Sequence, residues 1–177
     1  MLARWSSWGA LPEIFDEDKL NWSAERAELR ELLTESQYAE ARRTTINAHY
    51  TDPAYAREIW GALRDLGFDG GSVLEPGAGA GTFIGLAPDG VEMVGVELDS
   101  TTAGITRALY PRADIRTESF ADTKFPLGHF DAAVGNVPFA NVALHDPVHN
   151  SGRHSLHNHF IIKSLSLTRT GGVVAVL

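Results

Sequence analysis

The chain has 177 residues, of which 44% are hydrophobic, and it contains no cysteine. This length and composition predict one folded domain, and they exclude disulfides, zinc ribbons, iron–sulfur clusters and thiol nucleophiles. The formal net charge is −8, and among 15 lysine and arginine residues only Arg42 and Arg43 are adjacent. Charge alone therefore favours a small-molecule substrate, because proteins that grip a nucleic-acid backbone usually present clustered cations.

No apolar stretch of the sequence approaches the roughly 20 residues that a membrane helix needs. The first ten residues also lack the apolar core of a signal peptide. We therefore expect a soluble protein with no membrane partner and a cytoplasmic location.

The first 48 residues differ in pattern from the rest of the chain. Residues 1–24 are rich in tryptophan, and residues 25–48 carry leucines at helical spacing between charged residues. We expect residues 1–48 to form a helical extension that packs against a second unit, residues 49–177.

Apolar strands and helices alternate in this second unit. A helix is expected from Thr51 to about Leu66, because a capping side chain precedes a proline in the first turn. The strands that follow are expected at 72–75, 92–97, 113–117, 130–135 and 172–177, and the helices at 82–86, 100–109 and 157–168. This alternation predicts an α/β, Rossmann-like fold, with a mostly parallel sheet and helices on both faces. Because the last apolar strand runs to Leu177, we expect the domain to be truncated after it.

Three glycines at alternate positions follow the first expected strand. Gly77, Gly79 and Gly81 come directly after Glu75 and Pro76, and glycine permits positive φ and close approach to a ligand. The G-x-G-x-G spacing and the acid disfavour a dinucleotide, since Glu75 would repel a pyrophosphate. The positively charged amino group of S-adenosylmethionine would be attracted instead.

A second acid ends the next expected strand. Glu97 lies 20 positions after Gly77, where a carboxylate can accept hydrogen bonds from both hydroxyls of a ribose. We therefore assign Glu97 and the adjacent Leu98 to the same cofactor site as the glycine turn.

The string Asn136, Val137, Pro138 and Phe139 follows the fourth expected strand. It resembles the Asn/Asp-Pro-Pro-Tyr/Phe loop of class I methyltransferases that modify exocyclic amines. The resemblance implies that the Asn136 amide oxygen and the Val137 main-chain carbonyl accept hydrogen bonds from the target amine. Phe139 would stack on a base flipped out of duplex DNA. Val137 replaces the first proline of the family's loop, but a main-chain carbonyl remains available at that position.

Two further segments extend this resemblance. Tyr50 and Thr51 belong to a segment similar to the Phe/Tyr-Tyr-Thr-Pro motif, which contacts the methionine end of the cofactor. Ser119 and Phe120 stand where the family often has Asp-Phe, so Phe120 is expected to contact the adenine of the cofactor. The order of the motifs is that of γ-type DNA methyltransferases, which implies adenine N6 as the target.

The segment from Trp8 to Asp16 resembles a Trp-Gly-Gly-x-Pro-x-x-Phe-Asp motif of very large phage and mobile-element proteins. Those proteins, which include defences against restriction, join a γ-type adenine methylase to a helicase. The resemblance implies a helicase and a target-recognition region outside residues 1–177. DNA would then be a partner held mainly by regions outside this chain, which agrees with its acidic charge. We therefore expect residues 1–177 alone to show no detectable methylation.

Two other functions remain open. The same loop serves methyltransferases that act on protein glutamine or on ribosomal RNA, and their cofactor sites would look identical. A non-catalytic module that binds the cofactor or a partner within a larger protein is also compatible with Val137.

A group of histidines suggests a metal site, but its spacing argues against one. Five of the seven histidines fall between His145 and His159. His145 and His149 have i,i+4 spacing, but Pro147 interrupts the helix that would bring them together. We expect loop and helix-cap roles, and no metal. Asp131 is expected to support the end of its strand.

Overall fold

The computed structural model describes residues 8, 11, 13–45, 51–139 and 142–177. The described part contains five strands: β1 (Gly71–Pro76), β2 (Val91–Glu97), β3 (Asp114–Thr117), β4 (Phe130–Gly135) and β5 (Thr168–Val176). The helices that it contains are α1 (Ser23–Leu32), α2 (Glu35–Thr44), α3 (Pro53–Asp65), α4 (Thr82–Gly85), α5 (Ser100–Leu109) and α6 (Leu156–Leu167). A short 3-10 turn, Leu20–Trp22, precedes α1.

The strands form one sheet in the order β3-β2-β1-β4-β5, and every neighbouring pair is parallel. The α/β fold expected from the alternating pattern is therefore confirmed. Chain order reverses between β1 and β4, so the connections that leave these two strands diverge. Such a reversal opens a crevice at the carboxyl ends of the strands, which is where open α/β sheets bind ligands.

Successive residues of the central strands point to opposite faces of the sheet and enter two separate cores. Val73 packs with buried residues of α3, α4 and α5, whereas Leu74 packs with buried residues of α6. Both side chains are fully buried. The helices thus cover both faces of the sheet, as predicted.

The extension contains two helices where the leucine pattern indicated one helical stretch. Leu33 is extended and ends α1, and Thr34 begins α2. Thr34 accepts a hydrogen bond from the Gln37 main-chain N–H, while the Gln37 side chain accepts one from the Thr34 N–H. This capping box satisfies both donors and starts a new helix within the leucine pattern.

β5 begins at Thr168, directly after α6, and not at Gly172 as the apolar run predicted. Its pairing with β4 shifts register between Phe130 and Ala132. Gly171 has φ of +79° in this irregular part, a conformation that glycine adopts without strain. The apolar residues that predicted the strand form only its regular second half.

Asp131, near the start of β4, connects three strands at the amino end of the sheet. Its Oδ2 accepts a hydrogen bond from the Ser72 main-chain N–H at 2.9 Å, and its Oδ1 accepts one from the Arg169 guanidinium at 2.6 Å. These contacts, with Arg169 contributing most, lower the pKa of the Asp131 carboxyl. Asp131 therefore supports its strand, as expected.

Acid should weaken this contribution. A carboxyl whose pKa is lowered by folding stabilises the protein above its unfolded pKa of about 3.9, and the stabilisation is lost as the pH falls toward the folded value. We expect the free energy of unfolding of the natural protein to exceed that of Asp131→Asn at about pH 5 and to approach it near about pH 3. Urea unfolding across this range measures the difference. Asp69→Asn, which changes an exposed carboxyl, is the control, and a pH-independent difference for Asp131→Asn would contradict the assignment.

Among the described residues, no helix combines the length and the apolar character needed to cross a bilayer.

Candidate functional site

The segments singled out in the sequence meet at one edge of the sheet. The glycine turn follows β1, Glu97 ends β2, and Asn136 follows β4. These three strands are neighbours and parallel, so their carboxyl ends lie side by side at the point where chain order reverses. A Cβ added to Gly77 would lie 3.6 Å from Phe160 and 3.8 Å from Pro138, so the turn and the loop after β4 are in close proximity.

The conformation of the glycine turn is fixed by hydrogen bonds to the main-chain N–H and the carbonyl of Gly79. Its main-chain N–H donates to Glu97 Oε2 at 2.8 Å, and its carbonyl accepts from the Thr106 hydroxyl at 2.6 Å. The adjacent Ala78 N–H donates to the Val96 carbonyl at 2.8 Å. Gly79 has φ of +52°, and no other group lies within 4 Å of an added Cβ. The turn is thus a fixed cradle with free space above Gly79.

Glu97 supports this cradle with both carboxylate oxygens. Besides the bond from Gly79, its Oε1 accepts the Asp99 main-chain N–H at 2.8 Å. Burial raises the pKa of Glu97, and the bonds from Asp99 and Gly79 only partly oppose this. Each carboxylate oxygen has two lone pairs, so Glu97 can still accept hydrogen bonds from a ligand's hydroxyl groups.

The Glu75 side chain is buried and hydrogen-bonded to α4. It is 3% exposed, and its Oε2 accepts the Ile84 main-chain N–H at 3.2 Å. Burial raises the pKa of Glu75 well above its ordinary value, against main-chain hydrogen bonds from Ile84 and Phe83. In this geometry Glu75 ties β1 to α4. Its attraction for an amino group stays a prediction.

Gly79 and Gly81, two of the three glycines in the turn, should respond differently to alanine. At Gly81, φ is +75° and a Cβ would lie 2.8 Å from Tyr110 and 2.9 Å from Thr106, so Gly81→Ala should lower the free energy of unfolding by about 2 kcal/mol or more. In Gly79→Ala the added Cβ contacts no neighbour. This variant should lower the free energy of unfolding only by the backbone strain, about 1 kcal/mol. Urea unfolding distinguishes the variants, and equal losses would contradict this model of the turn.

Asn136 is oriented by a residue that lies 85 positions earlier in the chain. Its side-chain nitrogen donates to the Thr51 hydroxyl at 3.2 Å. Thr51 directly precedes Asp52, whose carboxylate accepts the Ala54 N–H and caps α3. The start of α3 therefore sets the orientation of the Asn136 amide. Since the amide nitrogen donates to Thr51, the amide oxygen is the atom that can accept a hydrogen bond from a ligand.

Val137 anchors the same loop by packing. Its side chain is 3% exposed and belongs to the core beside α6. Its main-chain N–H donates to the Leu177 carbonyl at 3.2 Å, and the Leu177 N–H donates to Gly135 at 3.0 Å. A proline at this position could not donate that hydrogen bond. Val137 thus replaces the rigidity of a proline ring with burial and a bond to the end of β5.

Two apolar side chains of the site are exposed. Phe139 is 53% exposed and Leu98 is 67% exposed. The Phe139 ring lies 6.2 Å from the His157 ring, measured between centroids. Phe139 therefore presents an aromatic surface beside Asn136, and Leu98 presents an aliphatic one beside Glu97.

Phe120 is buried beneath this edge. The ring is 3% exposed and packs 4.8 Å from the Phe160 ring, with the Lys163 ammonium 5.1 Å from its centroid. It acts as core in this arrangement, so its contact with an adenine stays a prediction. Tyr50 lies outside the described residues.

A buried ionic cluster connects α6 to the segments around it. Asp146 accepts hydrogen bonds at 3.0 Å from the Lys163 ammonium and the His159 imidazole, and Lys163 also donates to the Ala121 carbonyl. Burial alone would raise the pKa of Asp146, but hydrogen bonds from the His149 main chain, His159 and Lys163 outweigh it and lower the pKa well below its ordinary value. Burial lowers the pKa of His159 despite Asp146. The described residues contain no group of three or more metal-ligating side chains that could hold a metal ion.

Neither a protein-family model nor a curated protein matches the sequence. Solved structures do match. A geranyl diphosphate methyltransferase in complex with GPP and sinefungin gives a TM-score of 0.51 at 23% identity, over 78% of this chain and 46% of that one. A proposed methyltransferase from an antibiotic biosynthesis pathway of Anabaena variabilis gives 0.52 at 17% identity, over 72% and 45%. The PH0226 protein of Pyrococcus horikoshii gives 0.52 at 16% identity, over 69% and 56%.

The chain has the Rossmann-like fold of class I methyltransferases. It spans about half the length of each of these three structures. At these identities the likeness concerns the fold, and the chemistry must be argued from the residues at the carboxyl edge of the sheet.

Within this fold the site contains Phe160, which no local sequence pattern singled out, and His157, one of the histidines expected in a loop or helix cap. Phe160 of α6 faces Gly77 across the crevice, and His157 lies beside Phe139. Phe160 belongs to no recognisable motif, and the spacing of the histidines does not indicate which of them approaches Phe139. The place of both residues depends on α6 packing against β1 and β4, which only the strand order could indicate.

Proposed function

We propose that this chain binds S-adenosylmethionine at the glycine turn and transfers its methyl group to the exocyclic amine of a DNA base, with adenine N6 as the preferred target. The observation that carries the proposal is the Asn136 amide, which Thr51 orients at 3.2 Å beside the glycine turn and next to an exposed Phe139. An oriented amide acceptor and an aromatic surface are the two features that a flipped base with an amino group requires.

The residues fit the cofactor for physical reasons. Gly79 leaves open space above a turn whose main chain is fixed on both sides. Glu97 offers remaining lone pairs for ribose hydroxyls, and the exposed Leu98 offers an apolar surface for a purine. When bound, S-adenosylmethionine supplies an electrophilic methyl group on a positively charged sulfur.

The loop after β4 would prepare the nucleophile. An amino nitrogen conjugated to a purine is a poor nucleophile, because its lone pair is delocalised into the ring. Hydrogen bonds donated by the amine to the Asn136 amide oxygen and the Val137 carbonyl draw the nitrogen toward tetrahedral geometry and free the lone pair. Phe139 would hold the base by stacking, and the amine proton can leave to water after the methyl group is transferred.

The finer parts of the proposal rest on family resemblance. The motif order supports a γ-type adenine methylase, and the segment around Trp8 supports a larger phage or mobile-element protein with a helicase. A cytosine N4 target would present the same amino geometry to Asn136, so the choice of adenine follows from the resemblance alone.

Calorimetric titration with S-adenosylmethionine tests cofactor binding. We expect a dissociation constant in the micromolar range or weaker, which corresponds to a binding free energy of roughly −8 kcal/mol or less favourable. A parallel assay with labelled S-adenosylmethionine should compare plasmid DNA, ribosomal RNA and a protein with a target glutamine. Incorporation only into RNA or protein would overturn the DNA assignment. Cofactor binding without transfer to any acceptor would favour a non-catalytic module only if the larger protein implied by the resemblance also fails to transfer the methyl group.

A further inference from the structure

The segment of residues 142–155, called here the braced loop, begins three positions after Phe139. It carries His145, His149, Arg153 and His154, and Asp146 is its single acidic residue. The charges of Arg153 and Asp146 balance, so with neutral histidines the segment has no formal net charge in a chain whose net charge is −8. Because the segment follows Phe139 closely in the chain, its exposed groups are candidates for contact with the substrate.

The interior of the braced loop is fixed by two buried polar side chains. Asp146 Oδ1 accepts the main-chain N–H groups of Val148 and His149 at 3.1 and 3.0 Å. The Asn150 amide donates to the Leu144 carbonyl at 2.9 Å and accepts the His154 N–H at 2.8 Å. These bonds give a loop without regular structure a defined shape.

This bracing also keeps the only carboxylate of the braced loop away from the surface. Asp146 is 5% exposed and is neutralised by the Lys163 ammonium at 3.0 Å. His145, Arg153 and His154 are exposed. The outer surface of the braced loop therefore presents hydrogen-bond donors and no carboxylate, which suits a phosphate.

Backbone strain at Arg153 gives a second, independent observation. Its φ is +51°, and it is the only described residue other than glycine with positive φ. Glycine would adopt this conformation about 1–2 kcal/mol more cheaply than a residue with a Cβ. An exposed arginine kept in a strained conformation indicates a role for its side chain. Arg153 is four positions before His157, so their Cα atoms are at most about 14 Å apart.

We propose that His145, Arg153 and His154 of the braced loop donate hydrogen bonds to the phosphodiester backbone of the nucleic acid whose base stacks on Phe139. This inference rests on the proposed function and deepens it. The grip on DNA, expected to lie mainly outside the chain, would then begin within it. The contact reads phosphate and not base sequence, so it positions the substrate without selecting a recognition site.

Fluorescence anisotropy with a labelled DNA duplex carrying one unpaired adenine tests this contact at several salt concentrations. Arg153→Gln should raise the dissociation constant about threefold or more and reduce the slope of its logarithm against log salt by about 1. Arg112→Gln, which removes an exposed arginine before β3, is the matched control and should change neither. Arg153→Gly should weaken binding equally while its unfolding midpoint in urea stays level or rises, because the strain is relieved. The same measurement with a labelled single-stranded RNA shows which nucleic acid supplies the phosphates. We expect the natural chain to bind the DNA duplex more tightly than the RNA.

Equal weakening by Arg153→Gln and Arg112→Gln would overturn the proposal, since it would indicate a diffuse charge effect. The proposal also fails if the natural chain does not bind the duplex, or if it prefers the RNA. Calorimetry with S-adenosylmethionine on the same samples separates these failures from failure of the proposed function, because no residue assigned to the cofactor site lies in the braced loop.

Discussion

Replacing Glu97 with glutamine is expected to raise the dissociation constant for S-adenosylmethionine about 10-fold to 100-fold. Glu97 accepts the N–H groups of Gly79 and Asp99, one on each oxygen. Whichever way a glutamine amide is oriented, its NH2 group faces one of these two donors and leaves that donor without an acceptor. The carboxylate bonds proposed for the ribose hydroxyls are weakened as well. Hydrogen bonds to a charged group contribute about 1.5–3 kcal/mol each, which gives the expected range.

Glu92→Gln is the matched control for this variant. Glu92 lies on the same strand as Glu97 but is exposed, so its replacement should leave the dissociation constant unchanged. Far-UV circular dichroism and urea unfolding should show that both variants remain folded. Unchanged cofactor affinity in a folded Glu97→Gln variant would refute the ribose assignment, whereas absence of binding by the natural chain would refute the cofactor itself.

The sequence predicts the fold well wherever a local rule decides the structure. α5 was expected at 100–109 and is found at Ser100–Leu109, because Asp99 caps its first turn through a 2.7 Å bond from the Thr102 N–H. The strands leading to the glycine turn and to Asn136 were also expected, since each is an apolar run that ends in glycine or a polar residue. Capping and alternating apolar patterns act over a few residues, and a reader of the sequence can recognise them.

The sequence does not indicate contacts whose partners are far apart in the chain. The bond between Thr51 and Asn136 spans 85 positions. Asp146 and Lys163 are 17 positions apart and form an ion pair only because α6 packs beside the braced loop. The histidine-rich segment contains residue types that bind metals. In the structure its acid, Asp146, is instead bonded to His159 and to the buried Lys163. Tertiary packing determines that outcome, and no local pattern encodes it.

Val137 shows how the structure accounts for a departure from a motif. In the sequence it is a missing proline in a loop that needs rigidity. In the structure its side chain is buried, and its N–H donates to Leu177. The replacement changes the source of the rigidity, and the main-chain carbonyl proposed as an acceptor is kept.

Replacing Asn136 with alanine is expected to slow methyl transfer about 100-fold or more while cofactor affinity stays unchanged. The amide oxygen acts only on the target amine, so its loss should lower the rate of the chemical step and not the binding of S-adenosylmethionine. Single-turnover transfer of a labelled methyl group to DNA by the larger protein that the resemblance implies measures the rate, and calorimetry measures the affinity. Asn21→Ala, an exposed asparagine in the extension, is the control and should change neither value.

Thr51 makes this assignment sharper, because two roles can be distinguished for it. If Thr51 acts by orienting Asn136 through their 3.2 Å bond, Thr51→Val should slow transfer about tenfold, and Thr51→Ser should retain the rate. In the Asn136→Ala background, Thr51→Val should then cause no further loss, since the group it orients is already absent. If Thr51 instead contacts the methionine end of the cofactor, as the family resemblance implies, Thr51→Val should weaken cofactor binding equally in both backgrounds. The double-mutant cycle therefore determines whether the start of α3 serves the nucleophile or the methyl donor.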